Sequence, residues 1–187
     1  MRIRYNAPVT LTFALISSVV LLLNMFLIGN LIPMFFAVPG RGSFDGRDVF
    51  DYLRLFTHVI GHANWTHLLS NFAFILLLGP ILEEKYGSGA LLLMMIATAF
   101  ITGVLNVLLF QSGLLGASGI VFMMILLISF TNIRAGEIPL TFILVLLLYL
   151  VREIVTSFQT NDISEFAHIA GGFCGSLFGF LRPRRSA

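Results

Sequence analysis

Four polar side chains in this chain of 187 residues fall inside or at the edge of long runs that carry no charge: His67, Asn71, Ser118 and His168. A serine hydroxyl becomes a nucleophile when a base removes its proton, and histidine, which titrates near neutrality, is the base most often used. Ser118 stands in Gly116-Ala117-Ser118-Gly119. Its small neighbours let backbone approach a substrate closely, and a helix start offers unpaired N–H groups that stabilise an oxyanion. His67 and Asn71 are four residues apart and share one helix face. Both can donate hydrogen bonds to the charge that develops on an attacked carbonyl. The chemistry this set could perform is acyl transfer through serine.

Each piece also has a structural reading. A Gly-x-Ser-Gly in a glycine-rich membrane helix serves close helix packing, and a His–Asn pair can be a buried polar contact between helices. His168 shifts the balance, because an ionisable group within an apolar helix is costly and marks function by default. At about 100° per residue, His168, Gly171, Gly175 and Gly179 form one smooth stripe, and Ser118, Phe122, Ile125 and Ser129 form another. If these faces meet, with Phe122 filling space beside the glycines, imidazole and hydroxyl come within hydrogen-bonding reach. A metal centre fits less well. His58, His62 and His67 are spaced four and then five residues apart without a nearby Asp, Glu or Cys, unlike a His-Glu-x-x-His helix. Neither a metal nor a cofactor is expected, and Arg152 and Glu153 are read as interface groups without chemistry.

The elements that position these residues follow from composition. The chain is 58% hydrophobic and 11% charged, against about 25% charge in soluble domains, which excludes a soluble globular domain, a disordered tail and a nucleic-acid binder. The charge-free runs, residues 5–40, 55–82, 86–133 and 138–151, are far longer than barrel strands. Helices satisfy their own backbone groups in lipid, so an all-α polytopic membrane protein is predicted. Six spans are expected, at about residues 9–31, 66–82, 90–110, 117–131, 139–158 and 164–181. They leave no room for a separate soluble domain, so residues 1–187 read as one membrane-embedded unit. The first run exceeds the apolar core of a signal peptide and reads as an uncleaved helix. Residues 39–66 mix Gly, Asp and Arg with aromatics, as a loop with amphipathic pieces lying in the interface would. The fourth span is short for a bilayer, so its start is expected below the surface, capped by protein and water. The lone Cys174 cannot form an intrachain disulfide.

Arg2, Arg4, Lys85, Arg134, Arg182, Arg184 and Arg185 fall on one side of this topology and Arg41, Arg47 and Arg54 on the other. The excess predicts cytoplasmic termini, which brings His67, Asn71, Ser118 and His168 to the outward ends of three helices. The basic edges, with a pI near 9.0, suit anionic lipid rather than nucleic acid.

Taken together, the motifs resemble the rhomboid family of intramembrane serine proteases. The resemblance runs from Leu53 to Gly179. In order it comprises Leu53-Arg54, His62-x4-His67-x3-Asn71, Glu83, Gly116-Ala117-Ser118-Gly119 and Ala167-His168-x2-Gly171-x3-Gly175. It implies a six-helix bundle with a dyad of Ser118 as nucleophile and His168 as general base. His67, Asn71 and the Ser118 N–H would form the oxyanion hole, and Arg54 and Glu83 would serve structure. The substrates implied are membrane proteins, cut in or near a transmembrane segment, with small side chains at the cut bond. The setting implied is the inner membrane of a bacterium. Residues 159–163 with the outer part of the fifth span would act as a lid. Two departures are Leu53, where an aromatic often stands, and Phe122, where a tyrosine often stacks on the histidine. Two other classes remain for comparison. A catalytically silent relative that binds membrane proteins would typically lack the serine or the histidine, and a transporter would carry inverted repeats and broken helices, of which none is found.

Overall fold

The computed structural model describes residues 4–132 and 163–181, together with Leu140, Ile143, Leu144, Leu147, Leu148 and Val151 between them. For residues 129–132, 163–168, 180 and 181 only the backbone is described. The expectations for most of the fifth span, for Arg134, Arg152, Glu153 and the C-terminal arginines, and for the lid at 159–162 lie outside the described residues. Within them the chain is helical, with one isolated β-bridge between Val38 and Leu114. The helices are α1 (Pro8–Phe26), α2 (Leu31–Phe35), α3 (Val49–Thr57), α4 (Trp65–Tyr86), α5 (Ser88–Leu109), α6 (Ser118–Asn132) and α7 (Ile163–Leu181).

Three of these, α1, α4 and α5, are long and apolar enough to cross a membrane, while α6 and α7 contain shorter apolar stretches, Ser118–Ile128 and Ile169–Gly179. Pro8 opens α1 in its first turn, where the missing N–H costs nothing. The first apolar run does not stay helical to residue 31. α1 ends at Phe26, and after a turn the Ile32 N–H is taken up by the Asn24 carboxamide at 2.9 Å. Gly29-Asn30 at this corner is the local turn signal, and the apolar residues on either side of it carried the expected span through the break. α4 runs one turn past the expected stop, to Tyr86, and ends at Gly87 with φ 84°. Its two acidic residues did not terminate it because Glu83 points inward and is used elsewhere. Residues 39–66 contain the amphipathic α3, capped by Asp48, whose carboxylate accepts the Phe50 N–H.

Chain directions are fixed by contacts at the helix ends. Both carboxylate oxygens of Glu83, near the end of α4, accept hydrogen bonds from the start of α1: from Val9 N–H at 2.9 Å, Thr10 N–H at 3.1 Å and the Thr10 hydroxyl at 2.9 Å. A carboxylate there satisfies orphan donors and complements the helix dipole. α1 and α4 are therefore antiparallel, and a Cβ on Gly79 would meet the Thr10 side chain.

α6 is the axis of the bundle. Ile120, Val121, Phe122, Met123, Met124, Ile125 and Leu127 are all buried, and a helix apolar all round is stable only inside such a shell. Its 15 residues span about 22 Å, short of the roughly 30 Å hydrocarbon core. Its start is met by protein, since the Gly116 N–H just before it is tied to the His58 carbonyl.

α7 lies directly on α6. A Cβ built on Gly171 would collide with the Gly119 carbonyl, and one on Gly175 with the Met123 carbonyl. Small residues let two backbones touch in this way. Both contacts advance by four residues in the same direction, so α6 and α7 run parallel. The expected glycine stripe is thus used, one residue out of the expected register on α6. Gly119 and Met123 take the backbone contacts, while Phe122 and Leu126 fill the space beside Gly172.

Candidate active site

The site is assembled where α4 and α6 begin, at the end of the bundle opposite Glu83. Two loops meet there. Val38 and Leu114 exchange backbone hydrogen bonds of 2.9 and 3.0 Å, and the Asn106 amide donates to the Ser112 carbonyl at 3.1 Å. Closer in, the Gly116 N–H donates to the His58 carbonyl at 2.9 Å, which ties the segment before Ser118 to the end of α3. His58 is held in turn. Its Nδ1 pairs with the Arg54 carbonyl at 3.2 Å and its Nε2 with the Thr102 hydroxyl at 3.3 Å. Arg54 supports the same loop, its Nε donating to the Met34 carbonyl at 2.8 Å while its guanidinium pairs with Asp51. These contacts agree with a structural part for Arg54.

α4 enters through Asn64, whose side chain caps it by accepting the His67 N–H at 2.9 Å, an ordinary N-cap. The cap fixes the first turn and with it the side chains of His67 and Asn71. Both reach the same point. A Cβ on Gly116 would lie 2.6 Å from His67 Nε2 and Cε1 and 3.8 Å from Asn71 Nδ2. Gly116 has φ 111°, a left-handed conformation that other residues adopt only under strain, so two independent constraints require glycine here. The Nδ1 of His67 accepts the Ala63 N–H at 3.4 Å, which assigns the ring proton to Nε2, the nitrogen facing Gly116. Asn71 is buried, and its Nδ2 has no hydrogen-bond partner. A buried amide left unpaired costs about 1–3 kcal/mol, and a donor held this close to the Gly116 backbone can serve a ligand oxygen.

His62 completes the wall. Its ring lies 5.0 Å from that of His67 and 5.6 Å from that of Phe72. Nδ1 bonds to the Ile60 carbonyl at 3.1 Å, while Nε2 is buried without a partner. Burial holds both His58 and His62 down at a pKa of about 4, with the His67 ring lowering His62 further. Both are therefore neutral at physiological pH. The three imidazoles of residues 58–67 do not converge, and among the described residues no group of three or more His, Cys, Asp or Glu could hold a metal.

Ser118, the first residue of α6, is half-buried and so remains reachable, whereas Gly116, Ala117 and Gly119 around it are buried. His168 lies on α7 three residues before Gly171, the residue pressed against Gly119; its side chain lies outside what the structure describes. The structure thus brings His67, Asn71 and the Ser118 segment together through side chains, and Ser118 and His168 together through the register of two helices. Sequence reasoning missed the bond from Gly116 to the His58 carbonyl. It also missed the strained φ, for which the small residue at 116 was the one available signal.

Fold and site together define a polytopic helical membrane protein with a polar centre buried at one end of its bundle. More specifically, the chain belongs to the rhomboid family: residues 49–185 match the Rhomboid domain. It is 24% identical over 131 residues to the rhomboid protease GlpG of Haemophilus influenzae, covering 68% of each chain. YdcA of Bacillus subtilis is 29% identical over 166 residues, 79% of this chain and 81% of that one. The rhomboid protease GlpG of Salmonella paratyphi A is 28% identical over 181 residues, 93% of this chain and 63% of that one.

Proposed function

We propose that this chain is an intramembrane serine protease. Ser118 attacks the carbonyl carbon of a peptide bond in or beside a transmembrane segment of a membrane-protein substrate, and His168 takes the hydroxyl proton. The observation that carries this reading is the convergence on Gly116. The His67 Nε2–H and the unpaired Asn71 amide face the backbone immediately before the nucleophile, where the oxyanion of a tetrahedral intermediate would need donors. The Ser118 N–H, at a helix start, is the third donor. His168 then delivers its proton to the leaving amine, and water, activated by the same imidazole, hydrolyses the acyl-enzyme. The contact of Gly171 with Gly119 supports the dyad, since Ser118 and His168 each lie within a turn before it. The names of the two GlpG relatives support the protease activity.

The same reading includes six spans with both termini cytoplasmic. Parallel α6 and α7 support the count, because two parallel helices joined in sequence need a return crossing between them, and Leu140, Ile143, Leu144, Leu147, Leu148 and Val151 are helical. The bacterial relatives support an inner-membrane setting.

The test is to treat purified protein with a fluorophosphonate probe and with a transmembrane peptide substrate, comparing Ser118→Ala and His168→Ala. Labelling of wild type only, with cleavage reduced by about 10⁴-fold or more in both variants, is expected. Labelling or cleavage that survives Ser118→Ala overturns the dyad, and peptide binding without cleavage by wild type identifies a binding protein instead.

A further inference from the structure

His62 has no task in the chemistry proposed above, yet it touches the site directly. Its side chain is fully buried. The ring stands 5.0 Å from that of His67 at an interplanar angle of 64°, an edge contact. It also lies against Phe72 at 5.6 Å and 55°, and Phe72 packs in turn on Phe13 of α1 at 5.4 Å. A row of four rings thus runs from α1 to His67. Rings in contact at such angles hold preferred orientations, because the edge of one is drawn to the face of the next.

The His62 ring is also tied to the backbone. A carbonyl only accepts, so the 3.1 Å contact with the Ile60 oxygen places the proton on Nδ1. Nε2 is then an acceptor, and it is buried without a partner. A phenyl group would fill the same space without leaving an acceptor unpaired, so packing alone does not account for an imidazole here. What the imidazole adds is the bond to Ile60, which stops the ring from turning. Ile60 belongs to the short link between α3 and α4, the same link whose His58 carbonyl holds the Gly116 N–H. His67 has a use for such a brace. Its bond from the Ala63 N–H, 3.4 Å long, fixes one edge of the ring but not the tilt about that edge. We propose that His62 is a positioning residue for the oxyanion donor: its tethered ring sets the tilt of the His67 imidazole and so aims the Nε2–H at the position beside Gly116. The inference rests on the assignment of His67 to the oxyanion hole.

Steady-state cleavage of a transmembrane peptide by the purified full chain tests this, with helicity and melting temperature read on every variant. His62→Phe keeps a ring without the tether, His62→Asn keeps a donor for the Ile60 carbonyl without the ring, and His62→Leu has neither. A lost oxyanion donor costs about 10²–10³ in kcat, and a misaimed one costs part of that. His62→Leu and His62→Asn should therefore lower kcat about 30-fold with KM within about twofold of wild type, whereas His62→Phe should lower it only about threefold. In a His67→Ala background no ring remains to be aimed, so adding His62→Leu should change kcat by less than about twofold. If His62→Leu does not fold, His62→Met takes its place, filling similar space without a ring. Full kcat in a folded ringless variant, or an undiminished effect of His62→Leu beside His67→Ala, overturns the proposal. So does activity restored by Asn but not by Phe, which would make the bond to Ile60 the whole role of His62. Wild type that does not cleave, or His67→Ala at full activity, overturns instead the reading on which the inference rests.

Discussion

α4 carries a buried polar group at each of its ends, and the two are treated in opposite ways. At the end near α1, Glu83 accepts from two backbone N–H groups and one hydroxyl. At the other end, Asn71 keeps Nδ2 without a partner, and the neighbouring His62 keeps Nε2 without one. Buried polar groups are normally satisfied because leaving them unpaired is costly. A saturated cluster is therefore a fastening, and an unsaturated one stores a cost that a ligand can recover. The two ends of α4 thus differ in whether their buried polar groups are satisfied, and the proposed site lies at the unsatisfied one.

The hardest blow to that contrast is Gly116→Ala. The added methyl would meet His67 at 2.6 Å on a backbone with φ 111°. The strain costs about 1–3 kcal/mol, but the larger expected loss is in turnover, about 10³-fold or more, because both proposed oxyanion donors are displaced. Cleavage assayed beside melting temperature checks this. Near-normal turnover in a folded variant would detach Gly116 from the chemistry.

Asn71→Ala comes next. It removes a donor that contributes nothing to the folded enzyme at rest, so turnover should fall by on the order of 10 to 10³ while the melting temperature holds or rises slightly. A variant that melts much earlier at full activity would make Asn71 a packing residue and erase the difference between the two ends of α4.

Acidification separates the ends without mutation. His58 and His62 sit at about pKa 4 in the fold against 6.5 in the reference state. Above pH 6.5 neither state is protonated at these rings. Between 6.5 and 4 the unfolded chain takes up protons that the folded one refuses, so stability falls with falling pH, by up to about 3 kcal/mol for each histidine. Hydrogen exchange at pH 5 should accordingly rise around residues 58–67 before it rises around residues 8–10. His58→Gln should flatten the pH slope. Uniform exchange along the chain would remove the histidines as the cause.

How far all this could be read from sequence depends on which interaction decided each feature. Apolar runs located α4 and α5 to within a few residues, because lipid demands long helices and little else competes. The break after Phe26 was passed over because the run stays largely apolar on both sides of Gly29-Asn30, and the Asn24 carboxamide that closes the corner acts across eight residues. The pairing of α6 with α7 was legible as a glycine stripe, yet its register was one residue out, because stripes have angular width and only the Gly171 and Gly119 backbones select the contact. His67, Asn71 and Ser118 were legible as polar exceptions. What brings them together, the φ of Gly116 and its N–H bond to the His58 carbonyl, depends on two loops that no local pattern brings together.

Glu83 gives the smallest predicted effect and the most discriminating one. Its resemblance-based role was structural at the junction of α4 and α5, and the structure extends that role to the start of α1. Replacing it with Ala strands the Val9 and Thr10 N–H groups. A lost helix cap costs roughly 0.5–2 kcal/mol, and charge assistance places this one toward the upper end, so a loss of about 2 kcal/mol is expected. Glu83→Gln keeps one carbonyl oxygen but turns an NH₂ toward an N–H donor, so about half of that loss should remain. In both variants turnover per folded molecule should match wild type, because about 18 Å of helix separates Glu83 from Asn71. A thermal melt read beside cleavage distinguishes the outcomes. If Glu83→Ala slows cleavage as strongly as Asn71→Ala at unchanged stability, the saturated end of α4 is coupled to the chemistry, and the inventory of hydrogen bonds no longer tells the two ends apart.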